Sequence, residues 1–175
     1  MDCLILYEAA SPPTEALARA MADSLPGSDV TVLDLDHSGP ARCDLLIVGA
    51  GVRGRPGLWW RGRAGFPESD GSSRTDVRGT VSALTVRGVQ AHWYGAFDTR
   101  PWSILPRVGS LADRLDTALF RQGLRPALPA RSFPLATVAA PSSAELIDAA
   151  AWAGELYAVT RARLRVLARV VRPSA

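Results

Sequence analysis

Short apolar runs alternate with helical patterns along the whole chain. The unbroken apolar run at Leu4–Tyr7 and that at Asp44–Gly49 predict buried parallel strands, whereas the alternation over Asp29–Leu35 predicts a strand that is less deeply buried. Further strands are predicted over Val89–Phe97 and Ser132–Val138, helices over Thr14–Leu25, Ser110–Gln122 and Ser142 to about Val170, and a weaker helix over Asp76–Val86.

This alternation of strands and helices predicts a parallel sheet that is covered by helices on both faces. The handedness of the crossover connections then favours a five-stranded, doubly wound α/β fold, a three-layer α/β/α sandwich with strand order 2-1-3-4-5. We expect one domain over residues 1–175, with an extended basic C-terminal helix at about 142–170. The Arg-, Gly- and Trp-rich segment from Val52 to Thr75 has no clean period and predicts a long functional loop.

Composition narrows the classes of partner. Of the 175 residues 47% are hydrophobic, and the net charge of +3 is the difference between 20 basic residues, all of them arginine, and 17 acidic residues. Because the arginines are spread along the chain except near its end, we expect no nucleic-acid partner. No apolar run reaches the ~18 residues of a membrane span and no leader precedes the first strand, which favours a cytoplasmic location. Cys3 and Cys43 each begin an apolar run, so they are predicted to be buried thiols rather than a disulfide.

The loop after the first strand is the most informative segment. A buried strand, a loop of small and hydroxylated residues and a helix start form the arrangement that presents backbone amides to a phosphate. Pro12 and Pro13 occupy the middle of this predicted loop, and proline has no backbone N–H. The sequence therefore predicts a phosphate-binding architecture from which two donors have been removed.

These segments resemble the flavodoxin-like family, and in particular the actinobacterial flavodoxin-domain proteins. Tyr7–Thr14 is similar to the family's Y-E-S-x-x-G-N-T, and Ala96–Arg100 to its A-A-F-D-T-R. Gly123–Ala127, followed by Arg131–Phe133, is similar to the segment before the fifth strand, and Glu145–Leu156 to the closing helix. The resemblance covers Leu4 to about Leu156.

The resemblance implies an FMN site at the carboxyl ends of the strands. It implies that the hydroxyl groups of Ser11 and Thr14 and the helix-start amides of Glu15 and Ala16 hold the phosphate if FMN is bound. In this chain the loop after the third strand, Gly49–Arg53, lacks the family's Pro, Thr and aromatic or His residues. Since two of the three flavin loops differ, we expect a degenerate FMN site and no cofactor, with FMN as the alternative.

Ligands of open parallel sheets bind beyond the carboxyl ends of the strands, where the strand order reverses. We expect Glu8, Asp98 and Arg100 as candidate catalytic residues there, although the last two could instead form a structural ion pair. The candidate ligand-binding residues are Arg53, Arg55, Trp59, Trp60, Thr99 and Trp102. Guanidinium forks clamp carboxylates and indoles stack on rings, so the predicted ligand is a small organic molecule that is aromatic and anionic. No zinc spacing occurs, and no metal site is predicted.

Three classes of function follow from these residues. The first is a repurposed flavodoxin-like protein that binds, or acts by non-redox chemistry on, a small molecule in the former flavin cleft. The second is an FMN-dependent electron-transfer protein or quinone reductase, and the third is a protein-interaction module. Whether the protein is an enzyme stays open. The basic last helix also carries an apolar stripe over Leu156–Val170, for which we expect packing on its own sheet or, alternatively, a homodimer seam; contact with an anionic membrane or nucleic acid is the third choice.

Overall fold

The computed structural model describes residues 1–8, 11–27, 29–35, 42–51, 88–101, 110–137 and 140–170. One sheet of five parallel strands has the order β2-β1-β3-β4-β5. The fold class and the strand order predicted from the sequence are confirmed. The strands are β1 (Asp2–Tyr7), β2 (Asp29–Asp34), β3 (Arg42–Gly51), β4 (Gln90–Pro101) and β5 (Arg131–Leu135), and the described helices are α1 (Pro12–Asp23), α2 (Leu111–Arg121) and α3 (Ser143–Val170).

Each face of the sheet has its own hydrophobic core. On one face α1 and α3 pack against alternate residues of the strands, and the rings of Phe97, Phe133 and Trp152 meet edge to face with centroids 5.8–6.1 Å apart. On the other face α2 buries Leu115 and Leu119 against β3 and β4. Because β1, β3 and β4 are covered on both sides, they lack the alternation that the edge strand β2 shows.

The two prolines predicted to lie within the first loop instead open the first helix. Pro12 and Pro13 occupy the first two positions of α1, with Ser11 as the N-cap residue. Proline suits a helix start because its missing N–H would have no partner inside the helix and its fixed φ is already helical. The prediction of a helix beginning at Thr14 was therefore two residues late, and the prolines lie at the helix positions whose amides normally point towards a bound anion.

The apolar stripe of α3 is buried only in its first part. Leu156 and Thr160 are fully buried, and the Arg163 guanidinium lies 4.4 Å above the Trp93 ring and donates to the Pro126 carbonyl at 3.0 Å. Beyond this anchor apolar side chains of the helix are exposed, Val166 by 60% and Leu167 by 44%. The expectation that the whole stripe from Leu156 to Val170 is buried within this chain is therefore wrong for the last two turns, and a homodimer seam there stays a prediction.

Cys3, Cys43 and His92 all lie near the amino ends of their strands. Cys3 and Cys43 are free, buried thiols on opposite faces of the sheet. The His92 side chain is 53% exposed, and its Nδ1 lies 3.6 Å from Asp44 Oδ1. His92 is the third residue of β4, near the amino end of that strand. His37, the predicted loop at 52–75 and the predicted helix at 76–86 lie outside the described residues.

Candidate functional site

The crevice between the carboxyl ends of β1 and β3 lies where the strand order reverses. The chain leaves β1 for α1 and β2 on one side, whereas β3 pairs with β1 on the other side. Glu8 joins the two strands at this point, because its backbone N–H donates to the Gly49 carbonyl at 3.1 Å and its Oε2 accepts from the Gly51 N–H at 3.2 Å. Glu8 therefore places a carboxylate at the floor of the crevice.

Three hydroxyl groups meet near the ends of β1 and β4, two from the start of α1 (Ser11 and Thr14) and one from β4 (Thr99). Thr14 Oγ1 of α1 donates to Ser11 Oγ at 2.7 Å and lies 2.7 Å from Thr99 Oγ1 of β4. A hydroxyl group has one proton to donate, so Thr99 must donate to Thr14 and Thr14 to Ser11. The two threonines are buried, whereas Ser11 is partly exposed. This chain of hydroxyl groups therefore ends at Ser11, whose own O–H proton is used in no hydrogen bond to another described residue.

Gly51 permits the close approach of Ser11 and Thr14 to β3. A Cβ atom at Gly51 would lie 2.2 Å from Ser11 Oγ, 2.4 Å from Ser11 Cβ and 3.1 Å from Thr14 Oγ1. A side chain at this position and the present Ser11 geometry exclude each other, since real Cβ contacts below 3.0 Å are essentially never found. Glycine is therefore required where the loop after β1 crosses the end of β3.

The described backbone amides at the start of α1 are already bonded. The Ser11 N–H donates to the Glu8 carbonyl at 3.1 Å, and the N–H groups of Thr14 and Glu15 donate to the Ser11 carbonyl at 2.9 and 3.2 Å. Pro12 and Pro13 have no N–H to offer. No unpaired backbone donor is therefore left between Ser11 and Glu15. The adjacent loop residues 9–10 lie outside the described part of the chain.

Asp98 lies at the carboxyl end of β4, where it binds the start of α2. Its Oδ2 accepts from the Ala112 N–H at 2.9 Å and from the Ser110 hydroxyl at 3.1 Å. A carboxylate at a helix N-terminus is favourable because the first amides and the helix dipole are positive there. Its other oxygen, Oδ1, is buried without a hydrogen-bond partner. Asp98 thus positions α2 and leaves one acceptor unused.

Arg100 follows two residues later on β4 and is partly buried. Its Nε is buried without a partner, and no ion pair joins it to Asp98, both residues being described. Alternate residues of a strand point to the same face, so Asp98 and Arg100 share the α2 face whereas Thr99 points to the α1 face. The end of β4 therefore presents an unpaired acceptor and an unpaired donor on one side of the sheet and a hydroxyl group on the other.

The structure thus brings together part of the site predicted from the sequence. Glu8, Ser11, Thr14, Asp98, Thr99 and Arg100 all lie at the carboxyl edge of the sheet. Glu15 pairs with Arg19 on the exposed side of α1, with an N–O distance of 2.8 Å, and Ala16 lies within α1. The remaining predicted ligand-binding residues, namely Arg53, Arg55, Trp59, Trp60 and Trp102, lie outside the described residues.

Two residues that matter to this edge were not predicted from the sequence. Ser110 caps α2, accepting from the Asp113 N–H at 3.3 Å, and lies 2.8 Å from Ser132 Oγ of β5. Its position before a helical pattern, with an acidic residue three positions later, is a recognisable N-cap signal. Gly51 carried no comparable signal, because the close approach of Ser11 depends on the tertiary structure.

The described residues bear on two further features, a metal site and a membrane-spanning helix. Among them, no three His, Cys, Asp or Glu side chains are grouped closely enough to hold a metal ion. None of the described helices combines the length and the apolarity needed to cross a bilayer.

Comparison with known proteins supports the fold. No protein-family model matches the chain, and no curated protein matches it. Among solved structures, the chain is similar to a flavodoxin from the domain Archaea, with 12% identity, a TM-score of 0.61 and coverage of 92% of this chain and 99% of that one. It is also similar to a short-chain flavodoxin associated with a non-canonical PDU bacterial microcompartment, with 15% identity, a TM-score of 0.61 and coverage of 91% and 99%.

A third similar structure is larger. Rubredoxin oxygen:oxidoreductase from the anaerobe Desulfovibrio gigas has 16% identity and a TM-score of 0.62, and the match covers 93% of this chain but 37% of that one. At these identities the similarity establishes a flavodoxin-like fold. It also corrects the expectation of no cofactor, because the similar structures are flavodoxins and related oxidoreductases, which favours FMN.

Proposed function

We propose that this chain with a flavodoxin-like fold binds a flavin at the carboxyl edge of its sheet and takes part in electron transfer. The FMN-dependent alternative therefore replaces the reading in which the cleft acts without a cofactor. The observation that carries the proposal is the hydroxyl chain Thr99–Thr14–Ser11, which ends in the crevice between β1 and β3. Ligands of open parallel sheets bind at this place, and the similar structures include several named as flavodoxins.

The described residues fit the polyol part of a flavin. A ribityl chain carries hydroxyl groups that need donors and acceptors, and the crevice offers both in the Ser11 hydroxyl and the Glu8 carboxylate. The buried hydroxyl groups of Thr14 and Thr99 polarise the Ser11 O–H, because each bond in a chain of hydrogen bonds strengthens the next. We assign Ser11 to binding, and Thr14 and Thr99 to positioning it.

The end of β4 offers a second set of contacts. An acceptor and a donor lacking partners, Asp98 Oδ1 and Arg100 Nε, lie two residues apart on one face. A pyrimidine edge with an N–H beside a carbonyl requires this combination of groups. We assign the two residues to the orientation of the ring edge, with no proton transfer attributed to either of them. A bound flavin supplies reversible electron transfer, and the protein contributes orientation and exclusion of water.

Titration of the protein with FMN, followed by quenching of flavin fluorescence, tests this proposal. We expect saturable binding that Ser11→Ala and Thr99→Val each weaken by about tenfold, since a hydrogen bond in such a network contributes roughly 1 kcal/mol and the effects propagate. Thr160→Val is the matched control, because Thr160 is equally buried but its Oγ1 has no hydrogen-bond partner. Equal binding by all four proteins, or no binding by the unmodified protein, would contradict the proposal.

A further inference from the structure

The helix start of α1 lacks the donors that recognise a phosphate group. Its first two positions are prolines, and the N–H groups of Ser11, Thr14 and Glu15 all donate to carbonyl groups of Glu8 or Ser11. A phosphate at a helix N-terminus is held mainly by several unpaired amides of the first turn. Within Ser11–Glu15 none of these is available.

The charges at this helix start do not replace the missing amides. Glu8 places its carboxylate 3.2 Å from the Gly51 amide at the floor of the crevice. Glu15 adds a second carboxylate in the first turn of α1, and the Arg19 guanidinium that lies near it is already paired with it. A phosphate monoester carries nearly two negative charges at neutral pH, so both carboxylates oppose it.

One polar group at this helix start remains suited to a ligand. The Ser11 hydroxyl is the last donor of the hydroxyl chain and is partly exposed. A neutral hydroxyl group can donate to a sugar-like hydroxyl as well as to a phosphate oxygen, so on its own it does not require a charged ligand. Among the described residues, the groups at the start of α1 therefore match a neutral polyol and do not select for a charged terminus.

We propose that Pro12 and Pro13 determine the flavin specificity of this protein, so that it binds the unphosphorylated flavin, riboflavin, about as tightly as FMN. This inference rests on the proposed function, because it concerns the same crevice. The prolines determine this specificity because the first two positions of α1 then have no backbone N–H to donate to a phosphate. They also hold α1 in place, since Pro13 is buried against the sheet whereas Pro12 is exposed.

Parallel titrations with riboflavin and with FMN, followed by flavin fluorescence, test the inference. In the unmodified protein we expect the two dissociation constants to agree within about tenfold. Pro12→Ala adds one amide and leaves the buried Pro13 in place, and Pro12→Ala/Pro13→Ala adds two. Each added amide should tighten FMN binding by roughly tenfold and leave riboflavin binding within about twofold, because a bond to a charged group is worth more than a neutral one.

Pro26→Ala is the matched control, since Pro26 is exposed in the turn beyond the other end of α1. It should change neither constant. FMN binding more than about tenfold tighter than riboflavin binding in the unmodified protein would overturn this inference and leave the proposed function intact. Binding of neither flavin would overturn the proposed function, and this inference with it. If the alanine variants tighten the binding of FMN and of riboflavin equally, this inference is also overturned, because the added amides would then not bind the phosphate.

Discussion

Replacement of Gly51 by alanine tests the geometry of the crevice directly. The new Cβ would lie 2.2 Å from Ser11 Oγ and 2.4 Å from Ser11 Cβ. Rotation about the Ser11 side chain relieves only the first contact, because Cβ is fixed to the backbone. The N-cap of α1 must therefore move away from β3, and Ser11 loses its hydrogen bond from Thr14.

The expected cost combines two effects. Overpacking of a rigid site costs about 1–3 kcal/mol, and the loss of the Thr14–Ser11 hydrogen bond adds about 1 kcal/mol. Gly51→Ala should therefore lower the free energy of unfolding by about 2–4 kcal/mol, which corresponds to a fall in Tm of roughly 4–16 °C for a chain of this size. Equilibrium unfolding in urea, followed by circular dichroism, measures the change.

A double-mutant cycle with Ser11→Gly separates the contact from other effects. Ser11→Gly removes the two atoms that would lie under 3.0 Å from the new Cβ and leaves only Thr14 Oγ1 at 3.1 Å, so the double variant should be destabilised little more than Ser11→Gly alone, with a coupling of about 1–3 kcal/mol. Gly154→Ala is the control, because a Cβ at this position in α3 meets nothing within 4 Å, and it should stabilise the protein by about 0.5–1 kcal/mol. Additive effects of the two substitutions would refute the described approach of Ser11 to Gly51.

Two further predictions concern groups outside the crevice. Partial burial works to raise the pKa of Glu145, but hydrogen bonds from the Ser142 and Ala136 amides and from the Ser142 hydroxyl outweigh it and hold this pKa below its ordinary value. Glu145→Gln should therefore lower the free energy of unfolding by about 1 kcal/mol at pH 7. This difference from the unmodified protein should shrink as the pH falls below about 4, because the carboxylate is then protonated. An equal difference in the free energy of urea unfolding at pH 7 and at pH 3 would contradict the prediction. Burial raises the pKa of the Cys3 and Cys43 thiols to about 12, and smaller effects come from Cys43 on Cys3 and from Asp44 on Cys43. A thiol reagent at pH 8 should therefore label these cysteines only when the protein unfolds. Rapid labelling of the folded protein would contradict their burial.

Much of the fold could be predicted from the sequence because hydrophobic patterning is a local signal. The buried run at Leu4–Tyr7 and the alternation at Asp29–Leu35 each predicted a strand in the right place and of the right burial. The start of α1 was displaced by two residues, because prolines are typical of loops as well as of the first turn of a helix. The far end of α3 was predicted to be buried, since periodicity alone does not show where the neighbouring surface ends.

The site was less predictable because its contacts join residues far apart in the sequence. The topological rule brought Ser11, Thr14 and Thr99 to one edge, but the order of their hydrogen bonds depends on the way in which α1 packs across β3 and β4. Asp98 was expected as a catalytic residue, and its bonds to the start of α2 became apparent only from the packing of that helix. Its place in the chemistry remains a proposal.

The most direct test of the account is a map of flavin-induced shifts in backbone amide NMR spectra. With FMN added up to about 1 mM, we expect the largest changes at Ser11, Gly51 and Thr99, which line the crevice at the carboxyl edge of the sheet. The amides of Asp2 and Gln90, at the opposite edge, should stay unchanged. Changes concentrated at the amino edge, or none at any residue, would contradict the assignment of a flavin site to this crevice.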